Sequence, residues 1–153
     1  MLTRIRFFGL DTDIPPAQVA LLFSTAKDAE SKAAEVAAEN GIVCKAYRAD
    51  VTNPGAIEQT VKQVADDYGR LDIIVANAGI AAHYAAEDCT PEEFSHMVNV
   101  NLNGAYYTAQ AAARIFKAQS SGNIVFTGSV SALLVNVPQK QAAVCCVDHL
   151  WHA

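Results

Sequence analysis

Glycine is scarce at the amino end of this 153-residue chain, where Gly9 is the only one before Gly41. Neither Gly-x-Gly-x-x-Gly nor Gly-x-x-x-Gly-x-Gly occurs at any position. That excludes the usual glycine turn whose backbone N–H groups close on a pyrophosphate. Long apolar runs are also missing, and nothing approaches the ~20 residues that cross a membrane as a helix. Basic clusters are absent and the net charge is −5, a poor match for nucleic acid or an anionic membrane surface. The four cysteines, Cys44, Cys89, Cys145 and Cys146, have no disulfide-framework spacing, so a reducing compartment is expected. Residues 1–10 carry Arg4 and Arg6 but no apolar core of a signal peptide before Asp11 and Asp13, which points to a cytoplasmic protein.

What remains is an ordinary globular composition, 52% apolar and 18% charged, long enough for one domain with a core. After Pro15-Pro16, residues 18–23 read as a strand. Residues 28–40, rich in Ala, Glu and Lys and stopped by Gly41, read as an amphipathic helix. A strand over 42–49 ends at Asp50, and Asn53-Pro54 opens a helix closed by Gly69. Residues 72–76 form an apolar run without alternation, as expected for a strand covered on both faces. Thr90-Pro91-Glu92-Glu93 is a helix start with a capping box, and the helix is expected to run to about Lys117. Gly122 then releases a strand over 123–127. Strands alternating with helices predict βαβ units and a parallel α/β sheet. The expected organisation is an atypical amino end over 1–17, a partial dinucleotide-binding domain over 18–141 and an atypical carboxyl tail over 142–153.

Three polar points sit at strand ends, where open parallel sheets bind ligands. Asp50-Val51 follows the second strand; Asp50 either accepts an N–H from a ligand or simply starts the next helix. Asn77-Ala78-Gly79 stops the third strand with small residues that let backbone approach a ligand or merely turn. Gly128-Ser129 ends the fourth.

The order strand, helix, strand, Asp-Val, helix, strand, Asn-Ala-Gly resembles the short-chain dehydrogenase/reductase family over residues 18–140. The similarity is most pronounced to fungal NADP-dependent polyol and ketose reductases, in the segments 122–129 and 135–139. It implies an incomplete Rossmann-type doubly wound parallel sheet and hydride transfer between NADP and a small carbonyl or alcohol substrate. It assigns Asp50 and Val51 to the adenine, Asn77, Ala78 and Gly79 to the cofactor wall, and Ser129 to the substrate oxygen, with Ser131 as the alternative. Asn101, within Asn99-Val100-Asn101-Leu102-Asn103-Gly104, corresponds to the asparagine at a helix kink that holds a proton-relay water. The long helix over 91–117 corresponds to a dimer interface. At the end of the first strand, Ser24, Thr25 and Lys27 stand where NAD-preferring sites place a carboxylate. Hydroxyls and an ammonium accept a phosphate dianion, so NADP is expected over NAD.

The same comparison exposes two gaps. Besides the glycine turn, the family needs a Tyr with a Lys four residues on to lower its pKa. None of Tyr47, Tyr68, Tyr84, Tyr106 or Tyr107 has one. Val144 and Asp148 fall near those two places and cannot act as proton donor and cation. Because both gaps lie at the ends of the matching region, a chain truncated at both ends is expected. The relatives place the first strand between the strands at 18–23 and 72–76, so exposed edges and a marginally stable or aggregating chain follow. The tail residues Cys145, Cys146, His149 and His152 are zinc-ligand types. Adjacent cysteines rarely share one tetrahedral ion, and no metal is expected.

Overall fold

A computed structural model describes residues 17–82 and 85–132. The 135–139 motif, the positions of Val144 and Asp148 and the Cys/His tail lie outside the described residues. Four strands alternate with helices in chain order: β1 Val19–Phe23, α1 Ala29–Asn40, β2 Cys44–Arg48, α2 Pro54–Tyr68, β3 Ile73–Ala76, α3 Pro91–Val98, α4 Gly104–Gln119 and β4 Asn123–Phe126. The expected boundaries hold to within about two residues.

The local chemistry explains the element ends. Gly41 closes α1 in the left-handed conformation at φ 63°, where a Cβ would be strained. The Asn53 side chain accepts the Ala56 N–H at the start of α2, with Pro54 in the first turn. Thr90 and Glu93 form the expected reciprocal capping box on α3. The segment read as one helix is helical throughout but not uniform. Between α3 and α4 lies a five-residue π-helical turn, Asn99–Asn103. The cluster of asparagines is what this turn accommodates, since a π turn loosens the hydrogen-bond ladder at a small local cost. Asn103 Nδ2 donates to Asn99 Oδ1 at 3.1 Å, so two of them satisfy each other.

All pairing is parallel. β1 pairs with β2, Phe23 opposite Arg48, and β3 pairs with β4, Ala76 opposite Phe126. Among the described residues these are two separate two-stranded ladders, β1–β2 and β3–β4. Among the described residues no strand joins the two ladders.

Helices α2 and α4 form the core that both ladders share. Ile57 and Val61 of α2 meet Ala111, Ala112 and Phe116 of α4, and Leu22, Ile74 and Ile124 pack against this cluster. Burying a side chain such as Ile57, fully enclosed here, contributes roughly 1.5–3 kcal/mol. The expectation of a third strand covered on both faces is corrected. Ala76 is buried and Ile74 half-buried, but Ile73 and Val75 remain 41% and 36% exposed. A continuous apolar run states that both faces should be covered; the described residues supply cover to one.

Candidate functional site

The first cluster lies at the carboxyl ends of β1 and β2. Ser24 is half-buried, while Thr25 and Lys27 are exposed on the loop into α1. Across the ladder, Arg48 Nε donates to the Ser24 carbonyl at 3.3 Å. Arg48 was not singled out from the sequence. The signal was available: it is the last residue of a strand two positions before Asp50, and parallel pairing with β1 brings it to the same loop.

Asp50 Oδ1 accepts both the Thr52 N–H at 2.9 Å and the Thr52 hydroxyl at 2.8 Å. These bonds, the backbone one first, hold its carboxyl below the usual carboxylate range, because both stabilise the ionised form. Asp50 also receives the Asn53 N–H on its carbonyl at 3.0 Å. It thus starts a tight turn toward α2 while its other carboxylate oxygen has no protein partner among the described residues. The turn reading and the ligand reading of Asp50 are compatible in this geometry.

The second cluster lies at the ends of β3 and β4. Asn77, Ala78 and Gly79 are all exposed. Asn101 grips the next residue at both of its backbone groups: Ile80 N–H donates to Oδ1 at 2.8 Å and Nδ2 donates to the Ile80 carbonyl at 2.9 Å. Its amide fixes the loop with one donor and one acceptor. A Cβ at Gly79 would stand 3.6 Å from Asn101 Oδ1, ordinary contact. Ser129, half-buried, accepts the Ser131 N–H at 3.1 Å at the start of a short 3-10 turn over Val130–Ala132. Accepting leaves its O–H proton free to donate. Ser131 itself is buried.

One helical turn joins the two clusters. Asn101 holds the Gly79-Ile80 loop, and three residues later Gly104 packs on Val51. A Cβ on Gly104 would lie 2.8 Å from Val51 Cγ2, so only glycine permits this approach without displacement. The Asp50-Val51 loop and the Asn77-Ala78-Gly79 loop are thereby fixed against the same stretch of helix.

Two of the tyrosines, Tyr47 and Tyr68, are tied into the fold. Tyr47 is buried and donates to Asp67 Oδ2 at 2.8 Å, and Tyr68 donates to the Val19 carbonyl at 2.9 Å. Burial is the first cause that pushes both phenols above their ordinary pKa, opposite to the shift a proton donor at neutral pH needs. No group of three or more metal-ligand side chains occurs among the described residues, and none of their helices is long and apolar enough to cross a membrane.

A parallel α/β frame with Asp-Val, Asn-Ala-Gly and Gly-Ser at successive strand ends defines a class. The short chain dehydrogenase family model matches residues 15–142, and the chain belongs to that family. Its fold is an incomplete Rossmann-type sheet. Among named relatives, a sorbose reductase of Schizosaccharomyces pombe is 42% identical over 129 residues, spanning 83% of this chain and 51% of that protein. An NADP-dependent mannitol dehydrogenase of Hypocrea jecorina is 34% identical over 128 residues, 83% of this chain and 48% of that one. Among solved structures, an NADPH-dependent 3-quinuclidinone reductase from Rhodotorula rubra superposes with a TM-score of 0.79 at 38% identity. It matches 86% of this chain and 50% of its own. The chain spans about half the length of the relatives it matches.

Proposed function

We propose that residues 18–141 form the adenosine-side part of an NADP-dependent oxidoreductase acting on a ketone or sugar carbonyl, or the matching alcohol. The observation that carries this reading is the bracket made by Asn101 and Gly104, which fixes the Asp50-Val51 and Asn77-Ala78-Gly79 loops together at the ends of parallel strands. The relatives named for NADP-linked and sugar chemistry support the same class.

The residues fit the cofactor unequally. Asp50 presents a carboxylate oxygen without a partner among the described residues, which can accept the adenine amino group, while Asn77, Ala78 and Gly79 offer an exposed wall with backbone access. Ser24, Thr25 and Lys27 suit a 2′-phosphate better than a bare ribose diol. For the pyrophosphate the chain holds no glycine turn. Bound NADPH would supply the hydride. Ser129 would orient the substrate oxygen through its free O–H. Asn101, the resemblance's holder of the proton-relay water, also holds the loop, using one donor and one acceptor of its amide on Ile80. No tyrosine with a lysine four positions on is present to donate the proton, so this chain by itself is impaired or inactive. The free thiols of Cys44 and Cys89 suit the cytoplasm.

A second reading is a non-catalytic partner that packs on a complete relative or on its own copy through the 91–119 helical segment. Phe94 and Tyr106, 42% and 55% exposed there, favour it. The purified chain, assayed for NADPH oxidation with a panel of ketoses and for nucleotide-induced thermal stabilisation, separates the readings. Stabilisation without turnover is expected. Turnover that disappears in Ser129→Ala would establish a competent enzyme, and neither turnover nor stabilisation would leave only the partner reading.

A further inference from the structure

We infer that Arg48 is a specificity-determining residue that reads the 2′-phosphate of the nucleotide, held in place by the Ser24 carbonyl. This rests on the nucleotide reading above. Three observations combine. Parallel register sets Arg48 opposite Phe23, so the last residue of β2 stands beside the loop that leaves β1. The Nε–H bond to the Ser24 carbonyl, 3.3 Å, ties the guanidinium to that loop. The two terminal nitrogens then have no protein partner among the described residues and remain available to a ligand.

The chemistry of a guanidinium suits this arrangement. It carries five donors in a rigid plane, and using the inner one on a carbonyl still leaves a pair of N–H groups to meet a phosphate oxygen. An ammonium lacks that geometry, so Lys27 on the same loop adds charge without direction. Thr25, also on the loop, adds a hydroxyl. A neutral ribose diol would gain little from this cluster, whereas a phosphate dianion gains charge-assisted bonds that are about twice as strong as neutral ones. Discrimination between the two ligands therefore falls on Arg48, and Asp50, two residues beyond the strand end, serves the base, which both ligands share.

The test is calorimetric titration of the full chain with adenosine 2′,5′-bisphosphate and with 5′-AMP, in the wild type, Arg48→Met, Arg48→Lys and Lys27→Met. The wild type should favour the bisphosphate by about tenfold or more. Arg48→Met should lose most of that preference with 5′-AMP affinity unchanged, which also reports that the variant is folded. Arg48→Lys should keep only part of it, and Lys27→Met should keep most. Raising the salt from low to 0.5 M should shrink the wild-type preference, since exposed charges are screened. Loss of both ligands together in Arg48→Met and Arg48→Lys, or an undiminished preference in Arg48→Met, would overturn the inference while the nucleotide reading of the wild type stands. If the wild type binds neither ligand, the nucleotide reading itself fails and the inference falls with it.

Discussion

Asn101 and Gln119 clamp opposite ends of the same strand segment with the same side-chain chemistry. Asn101 takes the N–H and carbonyl of Ile80 just beyond β3. Gln119 takes the N–H of Leu71 at 3.0 Å and its carbonyl at 2.6 Å just before β3. The eighteen helical steps from residue 101 to residue 119 rise about 27 Å, and the nine steps from residue 71 to residue 80 extend about 30 Å. Helix and strand are matched in length, and two amides fix the register between them. Replacing either by Ala should cost about 1–2 kcal/mol in urea denaturation, because each removal strands two backbone groups. Only Asn101→Ala should speed amide exchange at Gly79 and Ile80, since Gln119 holds the end away from the site.

Gly104→Ala should separate the two halves of the site. The added methyl meets Val51 Cγ2 at 2.8 Å and Cβ at 3.0 Å, so the Asp50-Val51 loop has to move. A stability loss of about 1–3 kcal/mol is expected. Adding Val51→Ala should recover part of it, visible as a favourable coupling in a double-mutant cycle. Strict additivity would show that the loop does not rest on this helix.

Asp50 makes the fold sensitive to acid in a defined direction. Its folded pKa is lowered by Thr52, so its contribution is present above the unfolded carboxylate pKa and is lost as pH falls through the folded one. Thr52→Val removes the hydroxyl bond but keeps the backbone N–H, the larger cause. The Asp50 pKa should therefore rise only part of the way to its ordinary value in an NMR titration. The stability gap between wild type and variant should be widest above pH 5 and close toward pH 2.

The two separate ladders carry a prediction about the chain in solution. β1 and β3 each have one ladder partner among the described residues, and Ile73, Val75 and Val125 leave an apolar sheet face exposed. The chain should melt at low temperature, broaden with concentration and self-associate in light scattering. A monodisperse monomer with a cooperative high-temperature melt and no ligand would contradict this.

Much of this was legible in the residues themselves. Thr90, Pro91 and Glu93 announce a capped helix start, Gly41 and Gly69 mark helix ends, and Asp50 and Asn77 fall at strand ends as the alternating pattern requires. The departures have physical causes. Ile73 to Ala76 reads as doubly covered because hydrophobicity records what a strand requires, while cover depends on segments distant in the chain. The Asn99 to Gly104 stretch reads as poor helix, yet its π turn and the reach of Asn101 to Ile80 are tertiary facts. Arg48 escaped notice because a lone arginine in a strand means nothing until pairing sets it beside Ser24.

The most direct test of the adenosine-side assignment is an amide chemical-shift map of the labelled chain during titration with adenosine 2′,5′-bisphosphate. The account predicts saturable shifts confined to residues 24–27, Arg48, Asp50, Val51 and residues 77–79. Shifts centred instead on the shallow surface hollow lined by Phe94, His96, Asn99 and Asn103, or no shifts at millimolar ligand, would contradict it.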